Sequence, residues 1–285
     1  MYYGLILISV VLFGASFAVN RQYQTYVGSG MFSSFFLAAI SSVAGALILF
    51  PINGFRFECT VFTLIMACAS ALNGIAFTYC GLKTLGQVNL SLYSLFSMLG
   101  GMALPSVVGV LFYNEGMSLA KGLCYLSIVA SLCLTVEKGE SKGGYPYYAG
   151  VFILNGMSGV ITKFFQAAPY EKASAEGYSL LSALCTLVIA GILAGITYPS
   201  YRKRVGKKAI FSGVGYGAIN RFANYLLVVA LAHVPASVQY PMVTGGVMIV
   251  TTVIACFTAD KPTKKQWLAV TLSFIGILLL VLIPY

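Results

Sequence analysis

Acidic side chains are what this chain has least of. Its 285 residues include 7 Asp and Glu against 17 Lys and Arg, with a single His and a single Trp. None of the acids falls inside a long apolar block. Glu58, Glu115, Glu176 and Asp260 stand at block edges and Glu171 in a loop, where a solvated helix boundary accounts for them. That absence removes the membrane-embedded carboxylate on which a proton antiporter would carry its proton, and a carboxylate pair for acid–base catalysis. A lone His makes no histidine metal cluster. The seven cysteines (59, 68, 80, 124, 133, 185 and 256) show neither metal-ligand spacing nor a disulfide framework, and they fit as small packed hydrophobes. No phosphate-binding loop appears, so nucleotide-driven pumping would need another subunit. Neither a metal nor a cofactor is expected.

Charged residues of both signs make up 8% of the chain, where a soluble domain carries about 25%. This excludes a soluble enzyme or a nucleic-acid-binding module. The net charge of +10 sits in short loops, where it sets topology and meets anionic lipid head groups.

What is present is apolar. The composition is 59% hydrophobic at a mean hydropathy of +0.89, gathered into blocks of about 20 residues, the length that spans a bilayer. Lipid leaves no partner for unpaired backbone groups, so helices or a closed barrel are the only options. Barrel strands would alternate polar and apolar over about ten residues; these uniform blocks read as helices. The expected spans are 2–20, 30–51, 58–82, 88–113, 119–136, 147–167, 178–199, 209–231, 236–258 and 267–283. Tight turns join the third to the fourth and the eighth to the ninth. Ser16 and Ala18 imitate a signal-peptide cleavage site, but Met1-Tyr2-Tyr3 lacks a basic region, so the first block reads as a retained helix.

The sequence repeats itself at an offset of 145 to 149 residues. Tyr2-Tyr3 falls on Tyr147-Tyr148, Gly14 on Gly159, Gly100-Gly101 on Gly245-Gly246, and Glu115 on Asp260. The segment 114–131 lies over 259–276 without a gap. The expected fold is all-α and integral to a cell membrane, with about ten transmembrane helices as two inverted five-helix repeats, 1–143 and 144–285. Each half holds an odd number of spans, which turns the second half over. That is the plan of secondary transporters, whose site lies at mid-membrane between the repeats. Most Lys and Arg lie in loops opposite the termini, so the positive-inside rule puts both termini outside.

The segments LFGASFAVNRQ and LPSVVGVLFYNEGMSLAKGLCYLSIVASLCL, with AHVPASVQYPMV in the second half, resemble ten-helix EamA-type permeases of the drug/metabolite transporter superfamily. The resemblance covers nearly the whole chain. It implies five-plus-five helices, the first four of each half around a central cavity and the fifth at the periphery, where a homodimer contact is expected. It also implies cytoplasmic termini, against the charge count. Members move amino acids, nucleotide sugars, sugar phosphates, other metabolites or drugs. Small multidrug relatives carry a Glu in the first helix, where this chain has Ser9 and Ser16.

Two cations interrupt the apolar blocks. A lone cation in hydrocarbon costs several kcal/mol unless a cavity, a partner or a ligand stabilises it, with roughly 2.5–3.5 on insertion scales. Arg221 lies about eleven residues from either end of its block, and Lys163 lies near the end of its own. Asn155, Gly159, Thr162 or Lys163, and Gln166 recur at helical spacing on the sixth span. Gly217, Asn220 or Arg221, and Asn224 do the same on the eighth. If both stripes face the cavity, an ammonium and a guanidinium converge there, matched to carboxylate or phosphate. Lys163 has an alternative, snorkelling to the interface, and Arg221 another, bonding to carbonyls near Gly213, Gly215 and Gly217. Tyr93 with Asn89, Ser94 and Ser97, Gln239 and Tyr240 with Thr244, and Asn73 add further candidates for orienting a ligand. Gly100-Gly101, Gly245-Gly246 and Gly191-x-x-x-Gly195 suit helix packing.

The expected function is secondary transport of a small anionic or zwitterionic metabolite, such as an amino acid, an organic acid or a phosphorylated compound, by alternating access. A second reading exports neutral or cationic amphiphiles along Tyr79, Tyr93 and Tyr225. A third, from another class, reads Gly156-Met157-Ser158-Gly159 with His233 as an intramembrane serine protease. That reading requires Ser158 and His233 within hydrogen-bond reach.

Overall fold

The computed structural model describes the chain apart from residues 1, 88–89, 114–115, 117, 136–144, 201–204, 258–261 and 283–285. Asn89, Glu115 and Asp260 therefore lie outside the described residues. The helices are α1 (Tyr2–Val27), α2 (Met31–Ile52), α3 (Val61–Leu85), α4 (Leu90–Tyr113), α5 (Leu119–Thr135), α6 (Tyr145–Ala167), α7 (Ala175–Thr197), α8 (Lys207–Leu231), α9 (Ala236–Cys256) and α10 (Lys264–Leu282). Eight of them, α1–α4 and α6–α9, contain stretches long and apolar enough to cross a membrane. Shorter apolar runs occupy α5 (Leu119–Ser131) and α10 (Trp267–Gly276). The protein is thus an all-α multi-pass membrane protein.

The largest departure from the expected spans is α1. It continues through Arg21–Val27, which the sequence suggested as a loop. The segment contains neither Pro nor Gly until Gly28, whose φ of +87° ends the helix. Gln22 Nε2 donates to Tyr26 Oη at 3.1 Å, one turn on. Tyr23 is fully buried with Leu37, Leu82 and Ala209, and its hydroxyl donates to Ser33 O at 2.9 Å. Tertiary burial overrides local polarity here.

The main helix pairings follow an exchange pattern. α1 lies against α8 and α9, as α6 lies against α3 and α4. α2 lies against α8, as α7 lies against α3; α2 meets α7, α4 meets α9 and α5 meets α10. Small and hydroxylated residues supply the contacts, as membrane helices require. A side chain on Gly100 would strike the carbonyl of Phe152, and one on Gly246 would strike Val10. Ser9 Oγ donates to Ala223 O at 2.7 Å, Ser131 Oγ to Ala269 O at 2.9 Å, and Ser94 shares a 2.9 Å bond with Thr251. Gly191 and Gly195 are a correction: a side chain at either would meet nothing within 4 Å, so neither packs against another of the described helices.

On the side of the molecule where α1 begins, the 168–174 segment is tied to the 53–60 segment. Glu58 Oε2 accepts from the Ser174 amide at 2.8 Å, and Thr60 Oγ1 donates to Glu171 O at 3.1 Å. The Ala173 amide donates to Thr63 Oγ1 at 3.0 Å. Lys172 Nζ donates to the carbonyls of Phe165, Gln166 and Ala168 at the end of α6, where the helix dipole favours a cation.

Candidate functional site: a central cavity with a guanidinium

A cavity of about 220 Å³ is bordered by eight of the helices, α1–α4 and α6–α9. Its walls come from α1 (Phe13, Phe17), α2 (Ser41, Leu49), α3 (Gly74, Phe77), α4 (Ser97, Gly101), α6, α7 (Tyr178, Ser182), α8 and α9. On α8 the lining runs from Tyr216 to Leu231, a rise of roughly 22 Å at 1.5 Å per residue. The space is therefore long and narrow.

Arg221 lies in this wall and is partly exposed to the cavity. Its position follows from the way α2 and α8 meet. Gly213 faces Ile40, Gly217 faces the Ser41 backbone, and Gly45 lies under the Arg221 stem. The two helices thus run parallel, and glycines let them approach. The Arg221 stem crosses Gly45 and its head reaches back to Ser42, with Nη2 donating to Ser42 Oγ at 3.0 Å. The guanidinium leans toward the start of α8, as helical side chains do. Tyr216 and Tyr178 line the same cavity. Bonding to carbonyls near Gly213, Gly215 and Gly217 is not what holds it.

Six of the nine sequence candidates line the cavity: Arg221, Asn155, Asn220, Asn224, Gln239 and Tyr240. Several are already tied to the protein. Asn155 Nδ2 donates to Ser97 O at 2.6 Å and Tyr240 Oη to Gly159 O at 3.2 Å. Asn220 Nδ2 reaches Ser16 Oγ at 3.5 Å. Asn224 is exposed and donates to Asn220 O and Oδ1, at 2.9 and 3.1 Å.

The other three do not line it. Lys163 is buried with its ammonium 5.0 Å from the Tyr113 ring centroid. It points along the α4–α6 seam, so the convergence of two cations does not occur. Tyr93 packs in the core, edge-on to Phe17 with centroids 5.3 Å apart, its hydroxyl under Gly81. Asn73 joins α3 to α6, donating to Leu154 O at 2.9 Å and to Ser158 Oγ at 2.7 Å.

Sequence reasoning missed several features of the site. Phe13, Phe17 and Phe77 give it an apolar wall; Phe13 and Phe17 belong to the LFGASFAVNRQ segment that carries the family resemblance, but the sequence pattern does not single them out as lining a site. Glu176 is more than a solvated boundary: its Oε1 accepts from Tyr225 Oη at 3.0 Å, joining α7 to α8. Tyr225, Tyr79 and Tyr93 are not among the lining residues; Tyr79 packs edge-on to Tyr147. The protease pair is not assembled. Ser158 is bonded to Asn73 and Leu154, while His233 is stacked on Tyr2 with centroids 3.9 Å apart.

No protein-family model and no curated protein matches this sequence. Among solved structures, 29 chains match in fold. One, described only as "Crystal structure of protein", superposes with a TM-score of 0.64 over 96% of this chain and 97% of its own, at 14% identity. At that identity the likeness is one of fold alone.

Proposed function

We propose that this protein is a secondary transporter of a small anionic or zwitterionic metabolite, built from ten spans as two inverted repeats that rock about the central cavity. Carboxylates and phosphates are the candidate cargo, and Arg221 is the group that holds them. The exchange symmetry of the main helix pairings supports the two-repeat reading, because α1 against α8 and α9 has its counterpart in α6 against α3 and α4, and α2 against α8 in α7 against α3. The resemblance to EamA-type permeases supports it from the sequence side. The peripheral α5–α10 pair is where a homodimer contact would form.

One observation carries the reading. A guanidinium stands in a cavity wall with a neutral serine hydroxyl as its hydrogen-bond partner among the described residues. Arg presents five N–H donors, and a cation at membrane depth without an anionic partner is costly. An anionic ligand supplies both the missing acceptors and the missing charge. The same feature disfavours cationic amphiphiles, which the field of Arg221 repels.

The test is uptake into proteoliposomes by Arg221→Gln, with folding checked by melting temperature. Loss of carboxylate or phosphate uptake in a folded variant is expected. Full uptake by a folded Arg221→Gln protein defeats the reading.

A further inference from the structure

Gln239 is 1% exposed and lines the cavity. Its Nε2 donates to Leu227 O at 2.9 Å. That bond fixes the amide orientation, because a carbonyl accepts only from the nitrogen end. The other end, Gln239 Oε1, is buried with no hydrogen-bond partner among the described residues. A buried acceptor left unmatched is expensive and calls for a donor. Ser97 Oγ, also on the cavity wall, is likewise buried without a described partner.

The position of this acceptor matters as much as its state. Leu227 is six residues beyond Arg221 on α8, about 9 Å of helix rise. The guanidinium leans back from Arg221 toward Ser42, whereas helix carbonyls point toward the C-terminal end, and Gln239 sits beyond the Leu227 carbonyl. Cation and acceptor are therefore more than about 9 Å apart, toward opposite ends of the elongated cavity. Asn224 lines the stretch between them.

We propose that the ligand of this cavity is an elongated anion, its charged group at Arg221 and a hydrogen-bond donor, in the simplest case a hydroxyl, at Gln239 Oε1. This rests on the transporter reading of the same site and narrows it. A compact α-amino or α-hydroxy acid, whose donor adjoins its carboxylate, satisfies Arg221 and leaves Gln239 unmatched. A ligand hydroxylated at the end remote from its anionic group satisfies both.

The experiment measures affinity of the purified full chain in nanodiscs for matched acids. Propanoate, butanoate and hexanoate are compared with 3-hydroxypropanoate, 4-hydroxybutanoate and 6-hydroxyhexanoate. The hydroxyl should add about tenfold in affinity at the longest chain, the scale of satisfying one buried acceptor, and nothing at the shortest. In Gln239→Leu the advantage of 6-hydroxyhexanoate over hexanoate should vanish. A hydroxyl advantage that is absent, independent of length, or retained in Gln239→Leu overturns the proposal. The transporter reading stands in that case if plain acids still bind in an Arg221-dependent way. If neither series of acids binds, or if both bind Arg221→Gln undiminished, both readings fall. The length dependence in the unaltered chain keeps the test decisive if Gln239→Leu does not fold.

Discussion

α3 and α8 hold corresponding places in the packing, α3 against α6 and α7, α8 against α1 and α2. They treat their polar groups in opposite ways. Asn73 on α3 commits its amide to two short bonds to α6. Asn220 on α8 reaches its counterpart helix only at 3.5 Å, and its neighbour Arg221 finds one serine. The glycines are opposed as well: Gly74 on α3 has open space around it, whereas Gly217 on α8 is pressed against the Ser41 backbone. Both helices border the cavity, but α3 ties its amide into a seam with α6 while α8 carries a guanidinium into the cavity wall. Two similar scaffolds thus become an asymmetric site, with its positive charge on one wall.

Substitutions can break this contrast in order of effect. Arg221→Gln should lower anion uptake roughly 100-fold, the scale of losing charge-assisted hydrogen bonds, while Asn73→Leu should leave uptake within a few-fold; radiolabelled uptake decides it. Gly217→Ala should cost about 1–3 kcal/mol through overpacking and lower the melting temperature. Gly74→Ala, with room for a methyl group, should be neutral or raise stability by up to about 1 kcal/mol, since glycine is a poor helix residue. Equal melting temperatures for the two variants would erase the distinction. Asn73→Leu should cost about 1 kcal/mol, two interhelical bonds at ~0.6 each, against a smaller loss for Asn224→Ala, whose bonds stay within its own helix.

The smallest effect lies at the loops. The Ser174 backbone amide holds the Glu58 carboxyl below the usual carboxylate range, helped by the Ser174 hydroxyl and by Arg56. A depressed carboxyl stabilises the fold above its unfolded value near 4.5 and loses that contribution as pH falls through the lower folded value. Melting temperature should therefore drop on acidification below that range in the native chain. The drop should be shallower in Glu58→Gln, and an identical profile for the two proteins would remove the carboxylate from the account.

Much of this was legible in the sequence. Apolar blocks announce membrane helices because lipid permits little else, and Arg221 is conspicuous because its depth in the block makes snorkelling costly. Lys163 shows the limit. Its spacing on α6 matches the cavity-lining Asn155 and Thr162, but residues one position apart on a helix point about 100° from each other, and that turn takes the ammonium to Tyr113 instead. The reach of α1 to Val27 was hidden because Tyr23 owes its helical state to Leu37 and Leu82, far away in sequence. Gln239 stood out as polar, but which end of its amide is left over depends on the Leu227 carbonyl, a contact no pattern displays.

The fastening between the 53–60 and 168–174 segments has a consequence for how the molecule responds to its surroundings. Its bonds join amides and hydroxyls to oxygens, and Glu58 itself is met first by a neutral N–H. Ionic strength screens attraction between full charges and leaves dipolar bonds almost untouched. Parting of these two segments would thus proceed at much the same rate in dilute and in briny media, and would quicken mainly with warmth.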